Sequence, residues 1–216
     1  MKYLSRNTLC SLAAAALVFA SSARAGVVEV DATLNSSHGG SAIAALALTQ
    51  GQHFRLSASL LDTWSAGALR GSFEFYDPAV RDTRDSRSLT RANADGLTQT
   101  IFAQDGDDSG VAQGSTIGRN FGLFDDGEFA APYAALVGRI GEGRWFLVGT
   151  SYDGVADSNG TLRLAFWDAN ADDNAGRINV NASADADLAV PEPGSLALVG
   201  AALGVLVLNR RRQACA

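Results

Sequence analysis

Ten consecutive residues, Trp167-Asp168-Ala169-Asn170-Ala171-Asp172-Asp173-Asn174-Ala175-Gly176, crowd carboxylates and carboxamides into one turn between two apolar stretches. Calcium takes six to eight oxygen ligands at about 2.3–2.6 Å from carboxylates, amides and backbone carbonyls. Asp168, Asp173 and Asn174 can converge on such an ion, with a backbone carbonyl at Ala171 or Asp172 adding another oxygen. Gly176 lets the chain leave the turn without a side-chain clash. The same composition also suits an ordinary Asx-rich turn whose side chains cap their own backbone.

Other chemistry is thinner. Asp105-Gly106-Asp107-Asp108-Ser109-Gly110 begins like an EF-hand loop, but the position eleven residues after Asp105 is Thr116 rather than the bidentate glutamate that such a loop needs. Glu74 and Glu128 are the only acids that invite a glycosidase-type pairing, and Glu74 alternates along a strand like an exposed residue. His38 and His53 are the only histidines, with no G-x-S-x-G elbow, no histidine-rich metal spacing and no phosphate loop. The pattern therefore favours a non-catalytic protein. Trp64, Trp145 and Trp167 offer flat faces for sugar rings, although tryptophans in a β-fold more often fill the core.

Charge narrows the partners. The chain carries a net charge of −6; three basic residues at the start (Lys2, Arg6, Arg24) and an excess of two in the last 26 residues leave −11 on residues 26–190. Such a field repels phosphate backbones and attracts divalent cations, so no nucleic-acid partner is expected. Cys10 and Cys215 lie in the two terminal segments, so residues 26–190 contain no thiol for a disulfide, a zinc site or a nucleophile.

The elements that must hold the acidic turn are strands. Apolar alternation marks Val27–Thr33, Gln52–Leu60, Gly71–Tyr76, Ala134–Ile140, Trp145–Ser151, Thr161–Trp167 and Arg177–Asn181. Phe54, Leu56 and Ala58 share one face, as do Leu162, Leu164 and Phe166, while Arg55, Ser57, Arg163 and Ala165 take the other. The fold class expected is all-β, an antiparallel sandwich with a solvated outer surface. Gly141-Glu142-Gly143 reads as a tight hairpin turn, and alanine-rich Ser41–Leu48 is the one segment before the tail that suits a short helix. Between Pro78 and Pro132 the pattern dissolves into acidic and arginine-rich loops, hiding short strands near Thr98–Phe102 or forming a face of their own.

Both ends carry address signals. Lys2 and Arg6 precede the apolar run Leu12–Ala20, and Ala23-Arg24-Ala25 offers a signal peptidase site, so residues 1–25 read as a helical signal peptide cleaved after Ala25. At the other end Pro191-Glu192-Pro193 prevents a helix from running out of the preceding domain, Leu196–Leu208 is apolar, and Arg210, Arg211 and Arg212 follow at once. As a helix, residues 195–208 would span about 21 Å against a hydrocarbon core of roughly 30 Å, a short transmembrane segment. The domain plan is thus a signal peptide at 1–25, a β-sandwich at 26–190 and a sorting tail at 191–216. Residues 191–216 resemble the PEP-CTERM protein-sorting signal of Gram-negative bacteria. The resemblance implies recognition by an exosortase in the inner membrane, cleavage near Pro-Glu-Pro, and delivery to the cell surface or an exopolysaccharide matrix.

A second resemblance concerns residues 43–182. Gly51-Gln52-His53-Phe54 through Asp62-Thr63-Trp64, Tyr133–Gly141, and the Trp167–Val180 turn and strand look like the small calcium-dependent, galactose-binding bacterial lectins with a jelly-roll sandwich. It places calcium ligands on Asp168, Asp173 and Asn174, and a ligating backbone carbonyl on Trp64. The histidine and glutamine that contact sugar in those lectins have no counterpart before Gly122-Leu123, where Gly118 and Phe121 stand, so calcium carries over better than galactose. The function expected is an exported surface or matrix protein with a calcium-dependent carbohydrate-binding module. A polysaccharide-acting hydrolase and a purely structural matrix protein are the alternatives.

Overall fold

A computed structural model describes residues 24–67, 89–186, 200, 202 and 203. The expected signal helix, the strand at Gly71–Tyr76, Glu74, Ala23, Pro-Glu-Pro and the arginine cluster lie outside the described residues, and no described helix is long and apolar enough to cross a membrane. The described part of the body is all-β, with every strand pairing antiparallel.

One sheet is organised by β14 (Asn174–Ala184), which pairs with β1 (Arg24–Asp31), β3 (His53–Ala58) and β4 (Trp64–Ala66), while β12 (Ser151–Val155) pairs with β3 and β5 (Arg91–Ala92) with β4. The second sheet runs in the order β11 (Phe146–Leu147), β10 (Ala135–Ile140), β13 (Gly160–Trp167) and β2 (Ile43–Leu48). Period-two alternation decides the facing: Ile178, Val180, Ala182 and Ala184 of β14 are buried while Arg177, Asn179 and Asn181 are exposed. Leu162, Leu164 and Phe166 meet them from β13 in one shared core, with Phe54, Leu56, Leu136 and Trp64. Trp64 and Phe166 touch edge to face at 4.6 Å between centroids.

Three expectations change. Ser41–Leu48 is not a helix: Ile43–Leu48 forms β2 along the edge of β13, pairing Leu48 with Gly160 and Leu46 with Leu162. Leu46 and Leu48 face the core, and Ala44 and Ala47, apolar on the outward side, mask the alternation. Trp145–Ser151 is not one strand. Gly149, at φ 64°, breaks it, so that β11 belongs to one sheet and β12 to the other. Finally, the outer face of the second sheet is solvated only in part, because Ala135, Val137, Ala165 and Trp167 are buried beneath Phe124, Phe129 and Trp145 in a second, smaller core.

The long irregular stretch hides short strands, as the sequence allowed. Ile101–Phe102 (β6) pairs with Thr116–Gly118 (β7), and Leu123–Asp125 (β8) with Ala130–Pro132 (β9). Gly141, at φ 58°, turns the chain after β10 into the β10–β11 hairpin. Ala134, just before β10, holds φ 63°, a conformation disfavoured for a residue with a Cβ. Two contacts fix it there: its carbonyl accepts Trp64 Nε1 at 2.8 Å, and its N–H donates to the Trp167 carbonyl at 2.9 Å. β1 begins at Arg24, paired with Ala184, so cleavage after Ala25 would remove its first two residues and leave Gly26–Asp31 on β14.

Candidate calcium site in the β13–β14 turn

The turn between β13 and β14 is built inside out. Asp168 is 4% exposed and Asn174 is 6% exposed, which is unusual for turn residues. The loop after β1 covers them. Ser37 Oγ accepts the Asp168 N–H at 3.2 Å, His38 Nδ1 lies 3.0 Å from the Asp168 carbonyl oxygen, and Thr33 Oγ1 donates to the Asn174 carbonyl at 2.8 Å. The His38 ring also sits edge-on to Phe124 at 5.0 Å and to Trp167 at 5.8 Å.

The carboxamide of Asn174 is oriented by its donors. Nδ2 donates to the Asn170 carbonyl at 2.8 Å and to the Ala32 carbonyl at 3.3 Å, which engages both amide hydrogens and leaves Oδ1 buried without a partner. Asp168 is similarly divided: Oδ1 accepts the Ala169 N–H at 2.7 Å, whereas Oδ2 is buried and unpartnered. Asp173 Oδ1 is the third such oxygen. A buried acceptor without a donor costs about 1–3 kcal/mol. Three such oxygens within seven residues, on two aspartates and one carboxamide, are of the kind that a hard cation can satisfy.

The electrostatics point the same way. Burial, with the neighbouring charge of Asp173 adding to it and the Ala169 hydrogen bond and the nearby Asn174 carboxamide opposing it, raises the Asp168 carboxyl from its ordinary value near 3.8 to about 7. Two carboxylates are held here with no basic side chain hydrogen-bonded to either among the described residues.

The remaining expected ligands fall differently. Asp172 is exposed, and its N–H is held by Asn170 Oδ1 at 3.0 Å. Trp64 lies opposite Gly176 in the β4–β14 register, with its indole in the core. Gly176, at φ 89°, is pressed against that backbone: a Cβ there would stand 3.0 Å from Trp64 Cα and 3.3 Å from the Thr63 carbonyl oxygen. No group of three or more His, Cys, Asp and Glu side chains that could hold a metal is present among the described residues; the candidate set is two carboxylates, one carboxamide and backbone. Sequence reading missed Asn170, Ser37, His38 and Thr33, which shape the turn. The polar run Ser36-Ser37-His38 after the first strand was the only hint.

The EF-hand-like stretch and two of the three tryptophans are satisfied internally. Asp107 accepts the Gln104 N–H at 2.5 Å, the Ser109 N–H at 2.9 Å and the Ser109 hydroxyl, so the EF-hand-like stretch is a self-capped turn. Trp64 and Trp167 are fully buried, Trp167 Nε1 donating to the Phe124 carbonyl at 2.9 Å, and only Trp145 is half-exposed.

Residues 189–213 match the PEP-CTERM protein-sorting motif. The motif implies export and membrane-associated sorting in bacteria, with exosortase processing. Among solved structures the chain is similar to one described as "EclA N-terminal domain; PllA-like lectin", at 20% identity and a TM-score of 0.40, over 74% of this chain and 95% of that one. No curated protein matches the chain.

Proposed function

We propose that the exported domain is a non-catalytic, calcium-dependent carbohydrate-binding module of the cell surface or the extracellular matrix. The observation that carries it is the set of buried, donorless oxygens on Asp168, Asp173 and Asn174. Calcium would be held by these three side chains, with backbone carbonyls of the turn and of the Thr63–Trp64 segment completing the shell. Bound there, the ion would neutralise Asp168 and Asp173 and offer open coordination positions to vicinal hydroxyls of a sugar.

The chain's own residues prepare the site. Ala169 fixes one Asp168 oxygen, Asn170 and Ala32 turn Asn174 Oδ1 away from the backbone, and the close Gly176–Trp64 approach brings the Thr63–Trp64 backbone beside the turn. Preorganisation of this kind limits the ordering cost on binding. A glycan array probed with the purified protein in calcium and again in chelator tests the reading. Calcium-dependent retention on particular glycans is expected. Retention unaffected by chelator, or release of reducing ends from a polysaccharide, would overturn it, the latter in favour of a hydrolase.

A further inference from the structure

The outer face of the β10–β13 pair carries three cross-strand pairs: Ala135 with Trp167, Val137 with Ala165, and Arg139 with Arg163. The first two are roofed by the second core, and the third is not. Instead Arg139, Arg163, Trp145, Glu142, Ser41 and Ser37 line a cavity of about 260 Å³. Two guanidinium groups directly opposite one another on a sheet repel, and a sequence in which acids outnumber arginines two to one over residues 26–190 has no shortage of partners for them. Yet Arg163 donates to the Ala42 carbonyl at 3.3 Å, and the carboxylate beside Arg139 is the largely exposed Glu142, 3.7 Å away. Arg139 Nε is buried without an acceptor. The Arg139 guanidinium lies 4.7 Å from the centre of the Trp145 ring, which limits its motion.

From this geometry we propose that the cavity binds the carboxylate of an acidic sugar, a uronic acid unit within a polysaccharide. Planar guanidinium groups match a carboxylate through paired N–H donors, and two of them on adjacent strands present more than one such fork. Ser41 supplies a hydroxyl for the ring hydroxyls. The cavity falls just below the roughly 300–1,000 Å³ of sites for drug-sized ligands, a size for one sugar ring rather than an extended chain segment. This site makes no use of Asp168 Oδ2, Asp173 or Asn174, and binding at it is independent of calcium.

The test is isothermal titration of the full chain, in mild detergent with EDTA, with oligogalacturonate and with a neutral galactan oligosaccharide of equal length. EDTA also prevents calcium from bridging the uronate to the protein. Saturable binding of the uronate, at least about tenfold tighter than the neutral oligosaccharide and weakening as salt is raised, is expected. Arg163→Gln should weaken it by about tenfold or more, and Arg163→Lys, which keeps the charge without the fork, should weaken it measurably while leaving the fold intact. Because EDTA removes calcium, this titration reads the cavity apart from the calcium site. Equal affinity for the two oligosaccharides, or uronate binding untouched in both Arg163 variants, would overturn the proposal.

Discussion

Replacing Asp168 by Asn tests the turn through pH. Without calcium, burial lifts the Asp168 carboxyl from near 3.8 to about 7, so between those values the folded protein holds a proton that the unfolded chain has released. A raised carboxyl gives stability that is fully present below the unfolded value and lost as pH rises through the folded one. At about 1.4 kcal/mol per pH unit, the calcium-free protein should therefore lose up to roughly 4 kcal/mol between about pH 4 and pH 7. For a domain of this size that is on the order of 8–16 °C in melting temperature. With calcium the sign reverses. The ion needs the ionised carboxylate, a proton competes for it, and the apparent Kd should rise about tenfold for each pH unit below about 7. Urea denaturation from pH 4 to 8, in calcium-depleted buffer and in excess calcium, measures both slopes. Asp168→Asn should flatten the calcium-free slope by the stated amount and abolish the calcium response. Parallel pH profiles for the variant and the parent without calcium would refute the assignment of that proton to Asp168.

Other expectations follow from particular contacts. Gly176→Ala places a Cβ 3.0 Å from Trp64 Cα at a φ of 89°, and should cost about 1–3 kcal/mol by urea denaturation and weaken the calcium response, because β4 must move away from the turn. Trp64→Phe removes the 2.8 Å bond to the Ala134 carbonyl and leaves that buried oxygen unpaired, a loss of about 1–3 kcal/mol in the same measurement. Leu164→Ala, in the core shared by the two sheets, should cost about 2–5 kcal/mol. Changing Pro191 and Pro193 together to Ala should leave the sorting tail uncleaved, seen as a larger band on immunoblots of the native host. Normal processing would show that the Pro-Glu-Pro geometry is not what the exosortase reads.

Much of the architecture was legible where side chains alternate cleanly between charged and apolar. Leu162, Leu164 and Phe166 against Arg163, or Phe54 and Leu56 against Arg55, declare their faces, and the Gly141 turn declares its hairpin. The alternation failed where both faces are apolar. Alanines outside and leucines inside made Ile43–Leu48 look helical, since helix propensity favours both residues and only the β13 edge decides the matter. The second core was invisible for a related reason: Val137, Ala165 and Trp167 stand on the side that reads as solvent-facing, and what covers them comes from Phe124 and Phe129, about forty residues away from Trp167 in the loop-rich stretch. At the candidate site, the acidic turn was legible as composition. Which oxygens lack donors was not, because that depends on Asn170, Ala32 and Ala169 backbone groups that no spacing rule identifies.

Calcium binding itself is the most direct test. Equilibrium titration of the native protein with calcium, compared with the Asp168→Asn, Asp173→Asn double variant, should show one ion held per chain by the parent at neutral pH and none held by a variant that still melts cooperatively. A parent that binds no calcium at millimolar concentration, or a double variant that binds it as tightly, would contradict the account.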